Sequence, residues 1–216
     1  MATKEFGILL QGNIGPWTKE IVKEFVKKFP DAHILLSTWV GNDVKDIPCE
    51  VIQSDPPKPT YPHESNINFQ IKGVQEGLKK INSKIVLKCK TDQIIHNRNI
   101  FNIYKEKCSP EKIMVSDLNT FDIEYRASDF CQIATKEILE EYWNEIPLYD
   151  GIHPIAPEVY LTEHYITKIK NDKGIWKDIM NNYFCIRNFH TDFQIEFEKF
   201  YSNLDKQKWF EKRSDN

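Results

Sequence analysis

"KIVLKCKTD", Lys84 to Asp92, is the stretch on which the fold turns. Ile85, Val86 and Leu87 form a short apolar run rich in β-branched residues, the signature of a buried strand. The run stops at Lys90-Thr91-Asp92. Lys88 and Lys90 share one strand face by the period of two. A carboxylate and two ammonium groups therefore stand at the end of a strand otherwise suited to a core.

The segments before it alternate. "NINFQIKGVQEGLKKI" (66–81) sets Ile67, Ile71, Val74 and Leu78 on one helical face. "PPKPTYPHES" (56–65) holds four prolines in ten residues and reads as a loop. "CEVIQSD" (49–55), "AHILLSTW" (32–39) and "FGILLQG" (6–12) read as strands. "WTKEIVKEFVKKF" (17–29) reads as a helix that Thr18 caps and Pro30-Asp31 ends. The order β-α-β-β-loop-α-β over short connections implies an α/β fold, a mostly parallel sheet flanked by helices. Ligands of such sheets sit beyond the carboxyl ends of the strands. Three of these ends are polar: Gln11-Gly12-Asn13, Ser37-Thr38-Trp39 and Lys90-Thr91-Asp92.

The segments after it are less regular. "KIMVSDLNTF" (112–121) reads as a strand running into a polar turn. "DFCQIATKEILEEYWNEI" (129–146) reads as one helix capped by Asp129. "GIHPIAPEVYLTEHYITKI" (151–169) becomes helical at Pro157-Glu158, proline being suited to a first helical turn. "IWKDIMNNYFCIRNFHTDF" (175–193) reads as a helix and then a strand. The remainder is aromatic at first and charged at its end, which is expected to fray.

Length and composition bound the function. A chain of 216 residues suits one domain with a substantial core. The net charge of −3 argues against a nonspecific nucleic-acid binder. The five cysteines are odd in number, widely spaced and without C-x-x-C, so free thiols in a reducing cytosol are expected rather than a disulfide framework or zinc site. No apolar run is long enough for a membrane span, and the N-terminus lacks a signal-peptide pattern. A cytoplasmic protein, in reach of a membrane surface without crossing it, is the expectation.

Dinucleotide, P-loop and nucleophile-elbow motifs are all missing. What remains is the rim. A carboxylate at Asp92 can hold a divalent cation that bridges phosphates, or can simply cap the next turn. Lys88 and Lys90 can neutralise a diphosphate or stand solvated. Trp39 can stack on a flat ligand or pack. Ser37 and Thr38 can bond a ligand or the backbone. Asn66 and Gln70 recur at i and i+4, with Gly73 following on that helix to allow either ligand approach or close helix packing. His190 is a candidate metal ligand with a structural role as its alternative.

The succession "LLQGNI" (9–14), "FPDAHILLSTW" (29–39), "NINFQIKGVQEGL" (66–78), "LKCKTD" (87–92), "VSDL" (115–118) and "APEVYLT" (156–162) resembles the WavE-like family of lipopolysaccharide and capsule synthesis proteins, which has virus-encoded relatives. The resemblance runs in order from residue 7 to about residue 165. It implies a glycosyltransferase of the GT-A type, a single α/β domain over 1–216. Residues 1–92 would form the nucleotide-sugar half, 93–200 the acceptor half and 201–216 a tail. In that fold an Asp-x-Asp motif usually ends the fourth strand and holds Mn²⁺ or Mg²⁺ on the donor diphosphate. The matching position here is Lys90-Thr91-Asp92, so the second acid is present and the first is a lysine.

On that resemblance Gln11, Gly12, Ser37, Thr38, Trp39, Asn66, Gln70, Lys88, Lys90 and Asp92 would bind the donor, probed first as a UDP-sugar. Asp92, with His190 as a further candidate, would hold the metal. An inverting enzyme also needs a base for the acceptor hydroxyl. Glu158 is the first candidate and Asp117 the second. Glu158 has a plain alternative as a first-turn acid favoured by the helix dipole. The partners implied are a nucleotide-sugar donor and a glycan acceptor. Two other classes stay open: a nucleotidyltransferase or sugar-nucleotide-processing enzyme, and a non-catalytic nucleotide- or glycan-binding module. "QGNIGPWTKE" has glycines but not the arginine that the nucleotidyltransferase signature carries.

Overall fold

The computed structural model describes residues 2–120 and 123–197; the 201–216 tail lies outside the described residues. The elements run β1 (Lys4–Gln11), α1 (Thr18–Lys28), β2 (His33–Trp39), β3 (Glu50–Ser54), α2 (Ile67–Lys80), β4 (Ser83–Lys90), β5 (Gln93–Ile95), α3 (Ile100–Lys107), β6 (Ile113–Ser116), β7 (Gln132–Thr135), α4 (Lys136–Asn144), α5 (Pro157–His164), α6 (Trp176–Tyr183), β8 (Phe184–Arg187) and β9 (Ile195–Phe197). Wide π-type turns follow α5 and β8.

Seven strands form one sheet in the order β3-β2-β1-β4-β7-β6-β8. Only β7 runs against its neighbours; β1, β2, β3 and β4 pair in parallel, as do β6 and β8. The mostly parallel α/β architecture expected from the strand–helix alternation is thus present. β5 and β9 make a separate two-stranded ribbon.

Both faces of the sheet are covered, and the period of two divides the core accordingly. Leu9, Leu35 and Val86 face one side, packing with Ile71, Val74 and Leu78 of α2 and Trp143 of α4. Ile8, Leu10, Leu36 and Leu87 face the other, with Phe25 of α1 and Phe101 of α3. α2 lies unusually close to β1. A Cβ on Gly77 would stand 2.3 Å from Leu9 Cδ1, and one on Gly73 would stand 2.7 Å from Gln11 Cγ. The close-packing reading of Gly73 is the one realised.

Several expectations need correction. The segment 129–146 is not one helix. Its first part is β7, which fills the open edge of β4 with Ile133 and Ala134 buried on opposite faces, and Thr135 rather than Asp129 caps α4. Four residues with apolar side chains on both faces carry no period that separates strand from helix. Thr18 does not cap α1; its hydroxyl accepts from Gly15 N and donates to the Thr91 carbonyl, at 2.9 and 3.2 Å. The cysteines are not all free: Cys108 and Cys185 form a disulfide joining the end of α3 to β8. An odd total conceals one pair when the partners lie 77 residues apart.

Candidate functional site

The carboxyl ends of β1, β2 and β4 open together into a cleft of about 770 Å³. Its wall includes Gln11, Gly12, Asn13, Trp39, Asn66, Phe69, Gln70, Lys90, Thr91 and Asp92. Three sequence-distant strand ends meet because their strands are parallel neighbours, with Gln11 in register with Ser37 on one side and Lys90 on the other.

The corner is held by the backbone. Gly12 N donates to the Ser37 carbonyl and Thr91 N to the Gln11 carbonyl. Thr91 Oγ1 donates to the Asn13 carbonyl at 2.6 Å. Gly12 has φ +138°, and a Cβ there would stand 2.9 Å from Thr91 Oγ1. A side chain at this position would be both strained and crowded.

One wall is aromatic: Trp39 is buried and meets Phe69 edge-on with centroids 5.5 Å apart. The floor carries two glutamines. Gln11 is 3% exposed and Gln70 2% exposed. Gln11 Nε2 donates to the Phe69 carbonyl at 3.3 Å and Gln70 Nε2 to Asn66 Oδ1 at 3.4 Å. These bonds turn the amide oxygens the other way, and Gln11 Oε1 and Gln70 Oε1 are buried without a hydrogen-bond partner. Such groups are costly to bury, and their presence beside a cleft calls for a donor from a ligand or water.

Beneath Lys90 lies a charge cluster. Lys90 Nζ stands 3.3 Å from Asp129 Oδ2, and Lys88 Nζ donates to the Asp129 backbone carbonyl at 2.7 Å. Lys88 is fully buried, its ammonium 5.0 Å from the centroid of the Trp143 ring. Burial pushes the Lys88 ammonium down to about 8, against the pull of Asp129. Burial alone would raise the Asp129 carboxyl. The ammonium groups of Lys90 and Lys88, with a hydrogen bond from Gln70, outweigh it and hold the group below the ordinary aspartate value. Lys90 is the one cation among the described residues lining the cleft, which also holds the carboxylates of Asp92 and Glu64, and Asp129 is its buried counter-ion.

The sequence-predicted residues divide. Gln11, Gly12, Trp39, Asn66, Gln70, Lys90 and Asp92 line the cleft. Ser37, Thr38 and Lys88 do not. The Ser37 hydroxyl donates to the Gly73 carbonyl at 2.7 Å, and Thr38 Oγ1 accepts from Asn42. Glu158 pairs with Arg126 at 3.1 Å, outside the lining. Asp117 also lies outside it, exposed, accepting from Phe189 N and Asn188 Nδ2 at 2.7 and 3.0 Å. It nonetheless follows β6, whose carboxyl end lies on the same edge of the sheet. The register Lys88–Gln132–Val115 puts Asp117 level with Lys90, two strand spacings or about 10 Å away. His190 stands on the turn after β8, edge-on to Phe189 and outside the cleft lining.

Asp129 and Phe69 were not anticipated as site residues. Phe69 sits three residues after Asn66 on α2 and was legible as a neighbour of Trp39 only once β2 and α2 were placed side by side. Among the described residues no three His, Cys, Asp or Glu side chains gather where one ion could bind. A looser mode, in which a hard cation is held by one carboxylate, substrate phosphates and water, needs only a single acid, and the cleft lining has Asp92 and Glu64.

A family model described as WavE lipopolysaccharide synthesis matches residues 11–171. No curated protein matches by sequence. Among solved structures, 4-diphosphocytidyl-2C-methyl-D-erythritol synthase from Anaerococcus prevotii superposes at a TM-score of 0.53 with 11% identity, over 98% of this chain and 97% of that one. TarS of S. aureus superposes at 0.53 with 13% identity, over 86% of this chain and 35% of that one. A glycosyltransferase involved in glycosylation of the major capsid of PBCV-1 reaches 0.45 with 11% identity, over 87% and 84%. At these identities the first two likenesses establish the fold alone.

Proposed function

The chain belongs to the WavE lipopolysaccharide synthesis family, and from that premise we propose that it transfers a sugar from a nucleotide-diphosphate donor, a UDP-sugar in the first instance, to a glycan acceptor. The observation that carries the reading is the cleft itself: an aromatic wall, the amides of Gln11 and Gln70, and Lys90 beside Asp92, all at the carboxyl ends of parallel strands.

Each part has a chemical use. Trp39 and Phe69 offer a face to a flat base. Gln11 Oε1 and Gln70 Oε1 accept from groups such as the uracil N3–H or ribose hydroxyls, so the ligand relieves their missing bonds. Lys90, with Lys88 beneath it, stabilises negative charge as it grows on the leaving diphosphate. The acceptor hydroxyl attacks the anomeric carbon, the bond from that carbon to the β-phosphate oxygen breaks, and the nucleoside diphosphate departs. A carboxylate takes the hydroxyl proton. Glu158, paired with Arg126, and Asp117, which accepts from Phe189 N and Asn188 Nδ2, are the two candidates, and either must exchange a present partner for the hydroxyl. A bound Mn²⁺ or Mg²⁺ would supply further neutralisation of the diphosphate, with Asp92 as its protein ligand.

The test is calorimetry with UDP-, GDP-, CMP- and dTDP-sugars, with and without Mn²⁺, on wild type and Asp92→Ala. The expected result is binding of the UDP-sugar, strengthened by Mn²⁺ in wild type and insensitive to it in Asp92→Ala. Binding without any metal effect would leave Lys90 as the phosphate partner and remove the ion. Failure of every nucleotide to bind would overturn the transferase reading. A nucleotidyltransferase would instead bind the nucleoside triphosphate and release pyrophosphate from it in the presence of a sugar phosphate.

A further inference from the structure

A second cleft of about 610 Å³ opens on the far side of Asp92. It is lined by Trp17, Glu20, Ile21 and Glu24 of α1 and its lead-in, by Ile94 of β5, by Glu196 and Phe197 of β9, and by Asp92, which also lines the first cleft. Among the described residues, the one side chain lining both clefts is thus the carboxylate at the end of β4.

The lining has a definite chemistry. Trp17 is 60% exposed, although it sits at the start of a helix with a well-buried face. Of the eight described lining residues four are carboxylates and none is cationic. The cations that pair with them stand behind. Lys23 binds Glu20 at 2.7 Å, Lys28 binds Glu24 at 3.5 Å, and His96 binds Glu196 at 2.5 Å with Lys28 Nζ 3.1 Å from its other ring nitrogen. These contacts fix the carboxylates in place as hydrogen-bond acceptors. An aromatic face beside fixed acceptors is complementary to a sugar ring, whose C–H face is apolar and whose hydroxyls are donors. The paired cations offset part of this charge, and with no cation among the described lining residues the cleft offers an anionic glycan no partner and suits a neutral or amine-bearing one.

We propose that this second cleft is the acceptor subsite, taking the terminal unit of a neutral or amino-sugar glycan with Trp17 against its ring and Glu20, Glu24 and Glu196 on its hydroxyl or amino groups. The assignment rests on the transferase reading, because the wall residue Asp92 that the two clefts share is what makes the second one an acceptor site. Acceptor and donor then meet at the end of β4, where Lys90 and Asp92 stand. The subsite disfavours uronic-acid acceptors because its described lining has no cation to meet them, so α1 and β9 contribute the acceptor preference.

The test uses the full chain and three probes: maltotriose, a chitosan-derived glucosamine trimer and trigalacturonate, with binding read by saturation-transfer NMR and titration. The expected result is binding of the first two, the glucosamine trimer the tighter, with trigalacturonate weaker by about tenfold or more. Trp17→Ala, at an exposed position that leaves the core intact, should weaken both by about tenfold. Glu24→Gln should weaken the glucosamine trimer more than maltotriose. Equal binding of trigalacturonate, unchanged affinities in Trp17→Ala, or no binding of any probe would overturn the proposal. The nucleotide calorimetry reads the other cleft, so a failure there counts against the transferase reading and a failure here against the acceptor assignment.

Discussion

Lys88 and Lys90 were visible in the sequence as two ammonium groups on one strand face, and their different fates were not. Lys90 ends at the cleft, and Lys88 is buried against Trp143 and the Asp129 carbonyl. What separates them is Asp129, about forty positions later and set in place by β7. Removing its charge leaves two cations without their counter-ion. Asp129→Asn is expected to lose roughly 3–5 kcal/mol in urea unfolding at pH 7. Lys88 gives a sharper test. Its folded pKa, about 8, lies below the 10.5 of the free side chain, so between these values the unfolded chain binds the extra proton. Stability from this group therefore rises with pH from about 8 to 10.5. Between pH 7.5 and 9 wild type should gain about 1 kcal/mol relative to Lys88→Met, a difference that cancels the other titrating groups. A difference of zero would mean that the Lys88 ammonium is as well solvated folded as unfolded.

At the scale of elements, β1, α1, β2, β3, α2 and β4 could be read from periodicity, since each carries an unbroken apolar pattern bounded by polar or proline-rich turns. β7 could not, because its place is dictated by an unfilled edge of β4 and not by its own four residues. β5 and β9 were missed for a similar reason: three-residue strands are defined by each other. α2 shows how one element serves both packing and site. Gly77 abuts Leu9 and Gly73 abuts Gln11. Gly77→Ala forces a methyl group into the core and should cost about 1–3 kcal/mol, measured by thermal or urea unfolding. Gly73→Ala meets Gln11, a polar side chain that can shift into the cleft at less cost than Leu9 can leave the core. It should leave stability nearly unchanged while weakening nucleotide binding about tenfold by displacing an amide that faces the ligand. If both variants changed stability alike and binding not at all, Gln11 would have no part in the cleft.

Across the whole molecule, the architecture followed from the first ninety residues, and the rim followed from the architecture. The closing contacts of the second half did not. The Cys108–Cys185 bridge joins segments 77 residues apart and ties the helix beneath one sheet face to the far strand. By loop-closure entropy alone its loss should cost about 4–5 kcal/mol. Cys108→Ser, or wild type in reductant, should show a correspondingly lower unfolding midpoint, and the variant should no longer respond to reductant.

The reversed strand β7 has a consequence for how this scaffold can change. Each parallel pairing obliges the chain to cross from one edge of the sheet to the other, so those connections have a minimum span. The segment from Asp117 to Cys131 has no such duty: it leaves the sheet at the end of β6 and re-enters it at the start of β7, on one edge. Its length is uncoupled from the strand order. Residues can be added there, or a loop from another protein spliced in, at a cost that grows only slowly with length. The early part of this connection, ahead of the buried Ala127, Ser128 and Asp129, can therefore take new sequence on the same edge as the cleft, and a change of partner need not wait for a change of fold.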